Sequence, residues 1–551
     1  MGRTSRADSR AYIFNFNLIA LACFCSSFVD TAIIRDGQLD LFRLSFIHYN
    51  DFHARFEETS QTFPVCSSND TNCLGGYSRL YQEIQTLLQE RPDSIVLNAG
   101  DVFQGTYWYT LMKWDITQKF INLLPNDVHT IGNHEFDDGV AGLAPYLAAL
   151  RAPVIVANID TTDEPSMNGL YKPHIILQRK GRKIGIIGLI TDATALTSNP
   201  DKVKFLDPIA VVRKEAKQLT AKGVDIIIVL SHCGLATDKK MANEVGEDID
   251  VIIGGHTHDL LWNGVDPPEA SSGTYPVIET AKSNGHKVVI VTASAYSKFL
   301  GNLSVYFDDS GEVRRVEGDP IYLNRSIPED PKITELLSPY MEKLHAMVNE
   351  VIGYTPEGMD EQLCSSGECV LGDFIADAIM NKTKQKITTK LPHISMILRN
   401  MIRGSIPRGN ITRGALINTL PYTNKIVSFP ITGKDLLACF VTSLQTTWKD
   451  KPFSGPFLPQ VSGLQVTLNT TSKSVVSAYV LEDDSWLPVK PDKKYQLTVA
   501  KFLTKGGNGF QMFKKYSDLT QLVGVDFEIF EEYLKLKPAI PKLEHRLVMV
   551  E

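Results

Sequence analysis

The hexapeptide Gly132-Asn133-His134-Glu135-Phe136-Asp137 puts an amide oxygen, an imidazole and a carboxylate on one tight turn, directly after the apolar-leaning run Val128-His129-Thr130-Ile131. An amide oxygen is a neutral ligand for a hard or borderline cation. The imidazole can meet an anionic substrate, and Asp137 lies one helical turn beyond His134, within reach to orient its ring. Taken alone, the segment also fits an Asn-His turn with a capping Asp. Four more polar clusters sit at the ends of strand-like apolar runs: Asp51-Phe52-His53, Gly100-Asp101, Ser231-His232 and Gly255-His256-Thr257-His258. In an extended chain, residues two apart point the same way, so Asp51 with His53, and His256 with His258, are each expected to grip a metal from one side. Singly, each has a plain alternative, a helix cap for Asp51 or a polar strand end for the histidines.

The elements that must position these groups alternate. From about residue 41 to residue 324, apolar runs alternate with helical stretches such as Ser78 to Glu90, Val140 to Leu150 and Pro208 to Lys222, which implies a helix-covered sheet. Each cluster then falls on the carboxyl edge of an open, largely parallel sheet, the usual place for a site in α/β folds. Pro328-Glu329-Asp330-Pro331 breaks the chain, and Ile333 to Val351 reads as an amphipathic connecting helix. Beyond it, a helix over Leu371 to Met380 and short strands near Lys425 to Ile431, Gly463 to Leu468 and Tyr495 to Ala500 make a second, mixed α/β domain without its own metal ligands.

The ordered set Asp51-x-His53, Gly100-Asp101, Gly132-Asn133-His134-Glu135, His232 and Gly255-His256-x-His258 resembles the calcineurin-like metallophosphoesterases. With Asn50-Asp51-Phe52-His53-Ala54-Arg55-Phe56-Glu57, Gly75-Gly76-Tyr77-Ser78-Arg79 and Lys505-Gly506-Gly507-Asn508-Gly509-Phe510, the chain is similar to the 5'-nucleotidase/apyrase family from about residue 41 to its end. The resemblance implies an N-terminal α/β/β/α metallophosphoesterase domain (28–325), a connecting helix (326–352) and a smaller mixed α/β substrate-binding domain (353–551), after a signal peptide (1–27).

It also implies two divalent ions. Asp51, His53 and His258 would hold one, Asn133, His232 and His256 the other, and Asp101 would bridge them, leaving His134, held by Asp137, as the catalytic imidazole. Zinc suits the histidine-rich side and manganese or calcium the oxygen-rich side, with magnesium a further candidate. A water activated by the pair would attack phosphorus in line. In the second domain, Tyr422 and Phe502 match the positions where the family sandwiches a purine, and Arg403 matches a phosphate-binding arginine. Three departures stand beside these matches. Arg399-Asn400-Met401-Ile402 replaces a glycine-rich phosphate loop, making Asn400 and Arg399 candidate ligands. Ser365 stands in place of an arginine, and Asn508 in place of an aspartate that takes the ribose hydroxyls. The Asn508 amide accepts a hydrogen bond without a charge, so ribose is expected to be held more loosely, and the arginine missing at Ser365 weakens the grip on a single phosphate.

The function expected from these matches is hydrolysis of ATP and ADP, as in the secreted salivary apyrases of blood-feeding arthropods. Hydrolysis of AMP by a 5'-nucleotidase is the alternative, and a non-catalytic secreted binder of nucleotide or of a host platelet or matrix protein is the second. With metals in one domain and purine site in the other, the second domain is expected to swing between open and closed forms.

Composition bounds the rest. The 551 residues, 43% apolar and 22% charged, suit a globular chain of two or three domains. A net charge of −7 argues against nucleic acid as a partner. Arg3, Arg6 and Arg10 followed by the apolar run Leu18 to Cys25 form the pattern of a secretory signal; the tail Lys542 to Glu551 lacks a hydrophobic anchor segment, and a secreted, anchorless protein is expected. Cys66 with Cys73, and Cys364 with Cys369, lie close enough in sequence to close small loops, and the resemblance supports both as disulfides; Cys233 and Cys439, in apolar surroundings, are expected as free, buried thiols. Sequons at Asn69, Asn302, Asn324, Asn381, Asn410 and Asn469 fit a glycoprotein.

Overall fold

Alternation along the strand Phe42–Tyr49 sets up the first domain. Leu44 and Phe46 face one way, into a core shared by two sheets, while Ile47 and Tyr49 face the other, into a core shared with the helices. The computed structural model describes residues 35–36, 39–60, 66, 72–445, 447–448, 455–536 and 542–551. The expected signal peptide and the Asn69 sequon lie outside the described residues.

In the first sheet, Phe42–Tyr49 pairs in parallel with Ile95–Asn98, which pairs in parallel with Val128–His129; Phe299–Phe307 joins on the other side, antiparallel. The second sheet has a parallel centre of Arg182–Ile190, Ile226–His232, Val251–Ile253 and Lys287–Val291, with antiparallel strands at both edges. Ile95, Leu97, Ile186, Ile228 and Ile252 meet in the core between the sheets. Helices Tyr77–Glu90, Tyr107–Ile121 and Gly139–Ala149 contribute to the outer core of the first sheet. Pro208–Ala221 and Leu235–Val245 contribute Val212, Leu219 and Met241 to the core of the second. The domain is therefore a four-layer α/β/β/α stack, and because the site-bearing strands run parallel, their carboxyl ends share one edge.

The connecting helix runs Pro331–Val348. It starts two residues earlier than the sequence pattern suggests, because Asp330 caps it (Ile333 N to Asp330 Oδ1, 2.9 Å) and Pro331 takes the first turn. It stops before Val351, which begins a strand, Val351–Thr355, paired with Gly409–Thr412. Ile333, Leu337, Leu344 and Val348 lie on its buried face, against the first domain.

The second domain is built on a five-stranded sheet in the order Pro459–Ser462, His393–Leu398, Lys494–Ala500, Lys425–Thr432, Gln521–Val525. The helix Val370–Lys386 packs on it, and a four-stranded sheet lies beside it. Two hydrogen bonds join the domains here: Tyr107 N donates to Asn418 Oδ1 (3.0 Å) and Thr110 Oγ1 to the Pro421 carbonyl (3.1 Å). Cys66–Cys73 and Cys364–Cys369 are disulfides, and Cys233 and Cys439 are buried thiols. Among the described residues no helix is long and apolar enough to cross a membrane.

Candidate active site

Every cluster named from the sequence reaches the shared carboxyl edge, but not as extended strand. Asp51, His53, Asp101, His256 and His258 all have positive φ, between 49° and 83°. The expected same-side pairing of alternate residues therefore fails for His256 and His258. Their left-handed backbone turns them apart, so that Asp51, His53 and His258 gather in one group and Asp101, His232 and His256 in another, the ligand atoms of each within 4.8 Å of one another. Asp51 and His53 converge even so, through loop geometry rather than strand alternation.

The carboxylates are held from behind. Asn50 Nδ2 donates to Asp51 Oδ2 (2.7 Å) and to the Ser294 carbonyl (2.6 Å), and Asn50 Oδ1 accepts from Ala293 N (3.0 Å). His256 N also donates to Asp51 Oδ2 (2.9 Å). Asp51 Oδ1 is left without a hydrogen bond, 3.2 Å from His258 Nε2 and 3.8 Å from His53 Nε2. Asp101 Oδ1 accepts from His134 N (2.9 Å), while Oδ2 faces His232 Nε2 (3.0 Å) and His53 Nε2 (3.9 Å). Close approach of the two loops requires glycine at 132, where a Cβ would lie 2.1 Å from Asp101 Oδ1.

The imidazoles are oriented in the same way. Nδ1 of His53 donates to the Phe103 carbonyl (3.1 Å) and Nδ1 of His232 to the Ala99 carbonyl (2.7 Å), which turns each Nε2 toward the carboxylates. His53 Nε2 and His258 Nε2 lie 3.2 Å apart, and Asn133 Oδ1 is buried without a hydrogen-bond partner. Such a set of inward-facing donors with little hydrogen between them fits cations. The charges agree: burial would raise Asp51, but His258 and His232 outweigh it and hold the carboxyl at about 2. Burial would lower His232, but Asp101 and Asp51 lift it to about 10. The cluster asks for positive charge, and two divalent ions would supply it.

Next to this cluster, His134 Nδ1 lies 2.7 Å from Asp137 Oδ2, and Ser198 Oγ donates to Asp137 Oδ1 (2.6 Å). Burial disfavours the imidazolium, but Asp137 and Asp101 outweigh it and raise His134 to about 9. Tyr422, from the second domain, lies nearly parallel to the His134 ring, centroids 5.7 Å apart at 15°.

A cavity of about 370 Å³ opens here between the domains. Asn133, His134, Asp137 and His256 line it from the first domain; Asn400, Tyr422, Phe502 and Asn508 line it from the second. Gly507 lets the backbone pass against the Phe502 ring, where a Cβ would come within 2.2 Å. Asn508 is buried, at φ 51°, and its Nδ2 has no hydrogen-bond partner. Arg403 lies 5.9 Å from the Tyr422 ring centroid. Arg399 does not line the cavity; it is buried beside Arg403 and Glu361, and burial pushes its guanidinium down to about 10. Ser365 Oγ donates to the Gln362 carbonyl (2.6 Å) within its own short loop.

Sequence reasoning assigned no role to four residues that build the site. Asn50, Arg55 and Glu135 lie inside the quoted motifs, so position could have flagged them; Tyr296 has no local signal. Glu135, 1% exposed, accepts four backbone N–H bonds: from Val102 (2.8 Å) and Phe103 (3.0 Å) at Oε1, and from Asp101 (2.9 Å) and Gly132 (2.6 Å) at Oε2.

Two buried ligand groups, reached from the cavity through Asn133 and His256 with His134 beside them, fit a metal-dependent phosphoesterase. The calcineurin-like phosphoesterase model matches residues 44–260, and the model of the 5'-nucleotidase C-terminal domain matches residues 351–515. The chain is 39% identical to an apyrase of Tabanus yao, over 92% of this chain and 93% of that one, and 34% identical to the 5'-nucleotidase of Homo sapiens, over 92% and 90%. The crystal structure of a 5'-nucleotidase precursor from Thermus thermophilus superposes with a TM-score of 0.82 at 31% identity, covering 92% of this chain and 99% of that one. The chain belongs to the 5'-nucleotidase/apyrase family and is a metal-dependent nucleotide phosphohydrolase.

Proposed function

We propose that this hydrolase releases phosphate from extracellular ATP and ADP. The observation that carries the reading is the cavity that brings Asn133, His256 and His134, at the edge of the ligand cluster, together with Tyr422 and Phe502, so that one nucleotide can reach both. Asp51, His53, Asp101, Asn133, His232, His256 and His258 would hold two divalent ions, zinc first among the candidates. When bound, such a pair polarises a phosphoryl group and activates water. His134, held by Asp137, stabilises negative charge on the transferring group or the leaving oxygen. Tyr422 and Phe502 hold the base, and Arg403 meets phosphate.

Preference for ATP and ADP over AMP is supported by Ser365 and Asn508, which remove a cation and an anion expected of a strict monophosphate site, and by relatives named apyrase in Tabanus yao, Anopheles gambiae and Aedes aegypti. Two disulfides support action in an oxidising, extracellular compartment. The test is phosphate release from ATP, ADP and AMP, with and without a chelator. Chelator-sensitive turnover of ATP and ADP but not AMP is expected. Turnover of AMP alone makes the protein a 5'-nucleotidase, and nucleotide binding without any turnover makes it a binder.

A further inference from the structure

Asp137 holds the His134 ring, and a segment outside every sequence motif holds Asp137. The chain from Thr191 to Asp201 leaves the ligand cluster, where Thr191 N donates to the His232 carbonyl (2.9 Å), makes one helical turn, Thr194–Thr197, and then runs along the loop that follows His134. Three bonds tie it there. Ser198 Oγ donates to Asp137 Oδ1 (2.6 Å), Asn199 Nδ2 donates to the Asp137 carbonyl (3.2 Å), and Val140 N donates back to Asp201 Oδ2 (2.8 Å). Asp137 therefore has a partner on each carboxylate oxygen, Ser198 at Oδ1 and His134 Nδ1 at Oδ2 (2.7 Å), so its plane is fixed from both ends. Ser198 is 6% exposed, which keeps bulk water from taking the place of its hydroxyl. The turn before it packs against Gly507–Gly509 of the second domain, and Thr197 and Ser198 line the cavity with Phe502 and Asn508.

An imidazole bonded to a carboxylate takes its orientation from that carboxylate, and a carboxylate with one oxygen unheld can still rotate. We propose that Ser198 is a positioning residue for His134: its hydroxyl fixes the Asp137 carboxylate, and Asp137 in turn keeps the imidazole aimed at the phosphoryl group. The inference rests on the role given to His134 above. Ser198 touches no reacting atom and acts through Asp137 alone. Its hydroxyl therefore serves the chemical step, while substrate binding and the metal ligands do not depend on it.

The test compares zinc-loaded wild type with S198A, S198C, S198T, H134N and the double variant S198A/H134N on ADP and on p-nitrophenyl phosphate. S198A is expected to lose about tenfold in kcat on both substrates, with KM and zinc content within about twofold of wild type. S198C keeps the volume but donates weakly, so it should show the same loss if S198A does not fold, and S198T, which keeps the hydroxyl, should recover most of the rate. H134N should fall further, and adding S198A to it should change kcat by less than about twofold, because the two residues act in one chain. A loss on ADP alone makes Ser198 a nucleotide contact, and a loss that repeats in full on top of H134N, or that comes with lost zinc, makes its role structural. Each of these overturns the proposal, as does S198A at the wild-type rate when H134N is slow. H134N at the wild-type rate overturns the role of His134 instead. The nuclear magnetic resonance signal of the His134 Nδ1 proton, assigned by its absence from H134N, then decides the link by itself: it should shift or exchange faster with water in S198A, and an unchanged signal overturns the proposal.

Discussion

Replacing Glu135 by Gln should unlock the two loops that carry Asp101 and His134. Each carboxylate oxygen accepts two backbone N–H groups, so whichever end of the new amide carries nitrogen, two of the four bonds are lost and a donor faces donors. A buried donor left unpaired costs about 1–3 kcal/mol, so the substitution should cost about 2–6 kcal/mol. That is a large share of the roughly 5–15 kcal/mol that holds a domain together. For a domain of about 300 residues, each kcal/mol corresponds to about 2 °C in Tm, giving a fall of about 4–12 °C. Calorimetry on metal-free protein measures the fall without contribution from the ions, and titration of zinc into the same samples should show weaker binding, because Asp101 loses its fixed backbone. A Tm within about 1 °C of wild type, with zinc affinity unchanged, would show that Glu135 does not hold the loops together.

Two further perturbations separate binding from folding. Phe502→Ala should remove about 1–3 kcal/mol of base stacking, raising KM for ADP about 5- to 150-fold while leaving p-nitrophenyl phosphate turnover as it was; a matching loss on both substrates rules out a role confined to the base. Away from the ligand cluster, Asp250, 3.3 Å from His286 Nε2, and Glu312, bonded to His286 Nδ1 (3.0 Å), outweigh burial and raise the imidazole from 6.5 to about 9. The protonated form is thus favoured by folding. The Tm advantage of wild type over His286→Gln should be full at pH 6, shrink above pH 6.5 and be gone by about pH 10; an advantage that grows with pH contradicts the assignment.

The site clusters are legible in the sequence because each follows a strand, and parallel strands deliver their carboxyl ends to one edge whatever the intervening loops do. Helix positions are legible for a similar local reason: the helix expected over Pro208 to Lys222 is found at Pro208–Ala221. What fails is inference that carries strand geometry past the strand. His256 and His258 sit beyond Val251–Ile253, in left-handed backbone, and so serve different groups. Tyr296 is invisible for another reason, since its neighbours Arg55, His53, His258 and Arg403 come from distant parts of the chain and from both domains. Glu135 looks like a ligand because it is acidic and lies in a ligand motif; its actual partners are backbone N–H groups, which no residue pattern records.

The left-handed turns at Asp51, His53, Asp101 and His256 are fastened by hydrogen bonds to one another and to Asn50 and Glu135. These bonds offset a conformational cost of order 1 kcal/mol or more at each turn. A cage with fixed ligands and fixed geometry sorts its guests: imidazole nitrogens favour zinc, carboxylate and amide oxygens tolerate harder ions, and supply in the surrounding fluid decides among those that fit.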